Sequence, residues 1–208
     1  MDHYYSAKPT SESNRETWNT TINNTDFTYT TDSGVFSKNA IDQGSEVLMV
    51  TGAEQTYPEG NILDLGCGYG PVGIYLGQAF PERTIEMVDV NERALELSKL
   101  NAAQNKIENV EIYQSNIYEN VENKEFAAIL SNPPIRAGKK VVHEILEKAY
   151  DHLVEGGQLL IVIQKKQGAP SAKKKMAEVF GNVERLNLDK GYWILASTKH
   201  FSSESTNN

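Results

Sequence analysis

Ile62-Leu63-Asp64-Leu65-Gly66-Cys67-Gly68-Tyr69-Gly70-Pro71-Val72-Gly73 decides the fold of this chain. A short apolar run reads as a buried strand, a glycine-rich turn ends it, and Pro71 stands at the first helical position, where a missing N–H costs nothing. Strand, turn and helix in that order open a βα unit, and such sheets take their ligands beyond the carboxyl ends of the strands. Gly68, Gly70 and Gly73 match G-x-G-x-x-G, a spacing that brings a dinucleotide's pyrophosphate to a helix N-terminus. Two details oppose a dinucleotide. Asp64 lies inside the strand end, where its carboxylate would meet the phosphate charge, and the turn begins at Gly66, before the fingerprint glycines. The acid suits a cation.

Outward from this unit the same alternation continues. Residues 84–89 (TIEMVD) read as a strand and 91–105 as a helix capped by Asn91; 110–114 and 126–131 read as two more strands. The spacing over 139–157 predicts a helix stopped at Gly156-Gly157, followed by a strand at 158–164 and a short basic helix from Ser171 to Phe180. Residues 183–188 and 191–198 read as an antiparallel pair across Asp-Lys-Gly. Upstream, 26–31 alternates like a strand, and 34–49 has helical spacing through Ala40, Val47 and Leu48. The whole predicts a doubly wound α/β fold with a mostly parallel, seven-stranded Rossmann-like sheet and an antiparallel C-terminal strand pair.

The chain has 208 residues, 39% hydrophobic and 23% charged, enough for one domain's core and too polar for a membrane protein. No apolar run approaches a bilayer span and residues 1–10 lack the apolar core of a secretion signal, so neither a membrane nor an export route is expected. Cys67 is the single cysteine and the four histidines are scattered, which argues against a disulfide or a metal site and for a reducing, cytoplasmic setting. The net charge is -8, yet residues 133–175 carry nine Lys or Arg against four acids, a local +5 on an acidic body. Lys173 to Lys175 alone would pass for a solvated helix turn.

The D-L-G-C-G-x-G segment resembles the first motif of class I S-adenosylmethionine (SAM)-dependent methyltransferases, whose cofactor is cationic and carries no phosphate. The resemblance implies a cofactor loop of Asp64, Gly66, Cys67, Gly68 and Gly70, with Asp89 on the ribose hydroxyls and Val90 beside it. Asn116 and Ile117 are implied at the adenine, with Ser115 as another flank. Asn132-Pro133-Pro134-Ile135 resembles the N-P-P-aromatic motif of enzymes that methylate conjugated amines. Such a nitrogen shares its lone pair with a π-system and must be turned toward the methyl group, which an amide oxygen and a proline carbonyl can do by orientation alone. Asn132 also borders the cofactor in that family. Ile135 departs from the motif, so a stacking ring must come from elsewhere: Phe36, Tyr69 or Tyr192, with Phe36 preferred.

From about Tyr4 to Lys199 the chain resembles the 16S ribosomal RNA guanine-N2 methyltransferases, in their single-module, YbxB-like branch. The shared stretches are D-S-G-V-F-S-K with the D-x-G-S-E-V-L after it, N-P-P-I-R-A-G-K, Gln-Gly-Ala-Pro-Ser and Gly-Tyr-Trp. Fuller members carry a second, degenerate module and are about twice as long. The expected organisation is an extension over 1–55, structured by its own patterning and packed on a methyltransferase domain at 56–199, with a Ser/Thr/Asn-rich tail at 200–208 expected to be disordered. The resemblance implies RNA, as ribosomal RNA or the small subunit, as partner; location alone, beside the N-P-P-I loop, after the strand at 158–164 and in the stretch before the domain, suggests a substrate surface of Phe36, Ser37, Arg136, Lys139, Lys165 and Lys166. Two other readings stand beside it: a protein glutamine N5-methyltransferase, which also uses N-P-P, and a non-catalytic SAM-binding module.

Overall fold

The computed structural model describes residues 7–35 and 40–201. Phe36 and Ser37, and most of the expected tail, lie outside the described residues. Nine strands and five α-helices occur within them. The central sheet contains β3 (Ile62–Leu65), β4 (Ile85–Asp89), β5 (Val110–Gln114), β6 (Phe126–Ser131), β7 (Leu153–Gln164), β8 (Glu184–Asp189) and β9 (Tyr192–Thr198), in the order β5-β4-β3-β6-β7-β9-β8. Every pairing from β5 to β7 is parallel, and β9 runs antiparallel to both its neighbours. The doubly wound, mostly parallel fold is as expected. Winding goes one way from β3 to β5 and then returns to β6 on the other side of β3, so the topological switch lies between β3 and β6.

The interior strands are buried on both faces because helices cover both. All six residues of β6 are buried, and each buried Leu or Ile there contributes roughly 1.5–3 kcal/mol relative to exposure. One face carries α1 (Gln43–Ala53), α2 (Pro71–Ala79) and α3 (Glu92–Gln104); the other carries α4 (Lys139–Ala149) and α5 (Ala169–Phe180). Asp42 caps α1 through Ser45 N–H and Asn91 caps α3 through Ala94 N–H. α1 packs over β6, β7 and β9, so residues before the glycine loop complete the layer on that face.

Upstream of α1, β1 (Glu16–Ile22) and β2 (Thr25–Thr31) form an antiparallel hairpin. Its outer edge does not face water. The Asn101 side chain accepts from Thr30 N–H and donates to Thr30 C=O, and Asn105 does the same with Thr28, so Asn101 of α3 and the Asn105 that caps its C-terminus stand in for a neighbouring strand.

Three local readings need correction. Gly156-Gly157 is not a helix stop: α4 closes at Ala149, a single 3-10 turn follows, and the glycines lie in a bulge of β7 between its pairings to Phe126 and Ala128. Ser171 does not cap α5, which starts two residues earlier after Gly168 in a left-handed conformation; its hydroxyl lies 3.3 Å from His143 Nε2. Ala40 is exposed and outside α1, which begins only at Gln43.

Candidate active site

The loop after β3 spends its donors internally. Gly66 and Cys67 N–H both donate to Val88 C=O, Gly68 N–H to Asp89 Oδ2, Gly70 N–H to Cys67 C=O and Gly73 N–H to Asp64 Oδ2. A phosphate cradle needs such N–H groups free, so this loop is not one. Two glycines are required by geometry. Gly66, at φ +79°, is exposed in the left-handed region, and a Cβ on Gly73 would stand 2.6 Å from Met87, where α2 lies against β4.

Two buried carboxylates end β3 and β4. Burial pushes the Asp64 carboxyl up to about 7, against the Gly73 N–H that draws it down and with the Asp89 charge adding to the rise. Burial likewise raises Asp89, opposed by backbone N–H groups of Asn91, Gly68 and Val90. Among the described residues neither has a cationic side chain as hydrogen-bond or ion-pair partner, so a ligand with positive charge would favour their ionised forms.

Beyond the strand ends lie two adjoining hollows. A cleft of about 300 Å³ runs from Gly66, Asp89 and Val90 past Ser115, Asn116 and Ile117 to Ser131, Asn132 and Pro134, with Ala137, Val141 and Ile145 behind. Ile117 has φ +54°, a strained conformation for a β-branched residue, held by Ser115 Oγ donating to its carbonyl. A small recess of about 40 Å³ adjoins it, lined by Asp42, Ser45, Asp64, Gly68, Tyr69 and Asn132 among others. Gly66 and Asn132 border both. Ser131 Oγ donates to Leu65 C=O and ties the end of β6 to that of β3, which sets where Asn132 leaves the sheet. The Asn132 amide nitrogen donates to Asp42 Oδ2 at 3.0 Å and to Ser45 Oγ at 3.1 Å.

Of the residues expected from sequence, Asp64, Gly66, Cys67, Gly68, Asp89, Val90, Asn116, Ile117, Asn132 and Pro134 border these hollows. Gly70 lies just behind, as the cap of α2, and Pro133 is buried. The Cys67 thiol is raised well above its ordinary value by burial and faces Ser98 Oγ. Ile135 starts a 3-10 turn and packs against the α4–α5 side of the core rather than lining the cleft. Tyr69 borders the small recess but is a buried core residue, its ring in T-shaped contact with Trp18 and Tyr29. Tyr192, half-buried, stays at the strand-end edge opposite Gln164. Arg136, Lys139, Lys165 and Lys166 are exposed outside the cleft, the first two just past Pro134 and the last two in the turn after β7. Asp42 and Ser45 were missed as site residues, although both stand in the D-x-G-S-E-V-L stretch; their D-x-x-S spacing marks a helix cap and does not show what the cap meets.

Sheet order, glycine loop and paired carboxylates define a class I methyltransferase fold. The methyltransferase small domain model matches residues 26–196, and the chain belongs to that family. It is 56% identical over 199 residues to the uncharacterized protein YbxB of Bacillus subtilis, covering 95% of this chain and 98% of that one. It is 39% identical over 133 residues to ribosomal RNA small subunit methyltransferase C of Pasteurella multocida, which is 62% of this chain but only 39% of that protein. The chain thus matches well under half the length of that relative. A T. thermophilus 16S rRNA N2 G1207 methyltransferase, solved with AdoMet and guanosine, superposes with a TM-score of 0.81 over 92% of this chain and 52% of that one, at 21% identity. Among the described residues no helix is long and apolar enough to cross a membrane.

Proposed function

We propose that this methyltransferase uses SAM to methylate an exocyclic amino group, guanine N2 of ribosomal RNA. The carrying observation is Asn132, the first residue of N-P-P, at the junction of the two hollows. The cofactor fits the chain's own groups. The cleft accepts a nucleoside between Asp89 and the Asn116-Ile117 wall, with Asp89 receiving ribose hydroxyls, and Asp64 offers charge to a cationic methionyl end. When bound, SAM supplies an electrophilic methyl group on a sulfonium sulfur.

The protein's work is then orientation. Asn132 Oδ1 and the Pro133 carbonyl accept the two N–H bonds of the target amine, turning its lone pair toward the methyl group, and the prolines stiffen the backbone that does so. The methylated nitrogen, positively charged, passes a proton to water without a dedicated base. Phe36 and Ser37 flank the target base, while Arg136, Lys139, Lys165 and Lys166 hold phosphates at the mouth. Residues 1–55 act as an extension of the catalytic domain at 56–199, and the enzyme works in the cytoplasm, where its RNA is.

The test is methyl transfer from labelled SAM to total RNA and to isolated small ribosomal subunits, followed by nucleoside analysis. N2-methylguanosine is expected. Label appearing in protein glutamine instead would replace this reading with glutamine N5-methylation, and SAM binding without transfer to either would make the chain a binding module.

A further inference from the structure

We infer that Asp42 and Ser45, in the first turn of α1, are positioning residues that fix which way round the Asn132 amide is held, and so select an amine donor as the group to be methylated. The inference rests on the role proposed above for Asn132. A side-chain amide is nearly symmetric in shape: a half-turn about its last torsion exchanges oxygen and nitrogen at little steric cost, so its partners must decide. A carboxylate oxygen only accepts. Asp42 Oδ2, at 3.0 Å, therefore requires the amide nitrogen on its side, and Ser45 Oγ at 3.1 Å takes the second proton. With both N–H bonds used, Oδ1 is left for a donor from the site. The inverted amide would set oxygen against carboxylate oxygen and offer N–H to a substrate N–H, a doubly repulsive arrangement.

The two residues are themselves held. Asp42 Oδ2 also accepts from Ser45 N–H at 3.1 Å as the cap of α1, so the carboxylate cannot swing away without uncapping the helix. Gly44, between them, has no room for a side chain: a Cβ would lie 2.9 Å from the Tyr192 ring and 3.2 Å from Asp42 Oδ2. The turn is clamped between β9 and Asn132. It also gives α1, which precedes the glycine loop, a place in the chemistry and not only in the packing.

Asp42→Asn is the informative variant, because Asn caps a helix as well as Asp but is itself an amide that can turn, so it no longer dictates the orientation of Asn132. Turnover on small ribosomal subunits should fall roughly tenfold or more, the worth of a charge-assisted hydrogen bond, with the KM for SAM and the melting temperature unchanged. In an Asn132→Ala background the same substitution should change turnover by no more than about twofold, since its target is gone. Ser45→Ala should act in the same direction, more weakly. Independently of turnover, the Asn132 side-chain amide signals in a 15N spectrum, assigned by their loss in Asn132→Ala, should move in Asp42→Asn.

Equal losses with and without Asn132 would overturn the inference, as would amide signals indifferent to Asp42. The proposed function fails differently: no RNA would be methylated, or Asn132→Ala would turn over normally. In that event the amide signals still decide whether Asp42 holds Asn132.

Discussion

Asp64 and Asn132 both stand at strand ends, yet they respond to different experiments. Asp64 ionises near 3.8 when unfolded, but burial holds its proton to about 7 in the folded chain. Its contribution to stability is therefore present in full below the unfolded value and is lost as pH rises through about 7, because the unfolded chain gives up the proton first. The cationic end of the proposed cofactor has the opposite preference, favouring the ionised carboxylate. SAM affinity should strengthen from about pH 6 to about pH 8, with proton release measurable by calorimetry in buffers of different ionisation heat. Asp64→Asn should flatten both trends, and a pH-independent affinity in the wild type would place the cation elsewhere. Asn132→Ala, by contrast, should lower single-turnover rates by roughly a hundredfold while leaving SAM affinity nearly unchanged, since orientation can contribute several kcal/mol to a barrier. Asp64, Asp89 and Asn132 were legible because each follows an apolar run that could only be a strand. Asp42 and Ser45 were not: Asp42 lies 90 positions before the amide it meets, and nothing local marks a contact across that distance.

Between elements, the joint of hairpin and α3 is the part that periodicity could not reveal. β3, β4, β6 and β7 read clearly as short apolar runs closed by turn residues, and α3 as an amphipathic segment behind a capping Asn. Asn101 and Asn105 read as ordinary polar helix positions, although Asn is a poor interior helix former and invites another explanation. Asn101 is completely buried and gives Thr30 both its hydrogen bonds while also donating to the Tyr69 carbonyl. Asn101→Ala should cost roughly 2–4 kcal/mol, because three buried backbone groups lose a partner together. Hydrogen exchange at Thr28 and Thr30 should accelerate well beyond that of β3 and β6, and uniform acceleration across the chain would show that the hairpin is not a separable unit. The Gly156-Gly157 pair was misread for a related reason. After a helical pattern, two glycines suit a helix stop and a strand bulge equally, and only the pairing of β7 with β6 distinguishes them.

At the scale of the whole molecule, the asymmetry of charge decides how a polyanion could be held by a protein of net charge -8. The basic stretch is not uniformly free. Lys175 pairs with Glu147 across α4 and α5, and Lys148 with Glu144 along α4, so those two cations are already matched. Lys165 and Lys166, in the turn after β7, and Lys173, one helix turn into α5, are exposed and follow the carboxyl end of β7, as the loop after Pro134 follows that of β6. If RNA is the substrate as proposed, replacing these three with Glu should weaken its binding and flatten the salt dependence, because each lost phosphate contact removes a released counterion, about 0.7 from the log-log slope for a single strand. SAM affinity should stay near the wild-type value, since Asp64 and Asp89 lie buried at the strand ends and charges beyond about 10 Å are screened at ordinary ionic strength. Filter binding over a salt series measures the slope, and calorimetry measures the cofactor. A variant with wild-type slope and affinity would make these lysines a solvated face and move the phosphate grip to Arg136, Lys139 and Lys140, beside the mouth of the cleft.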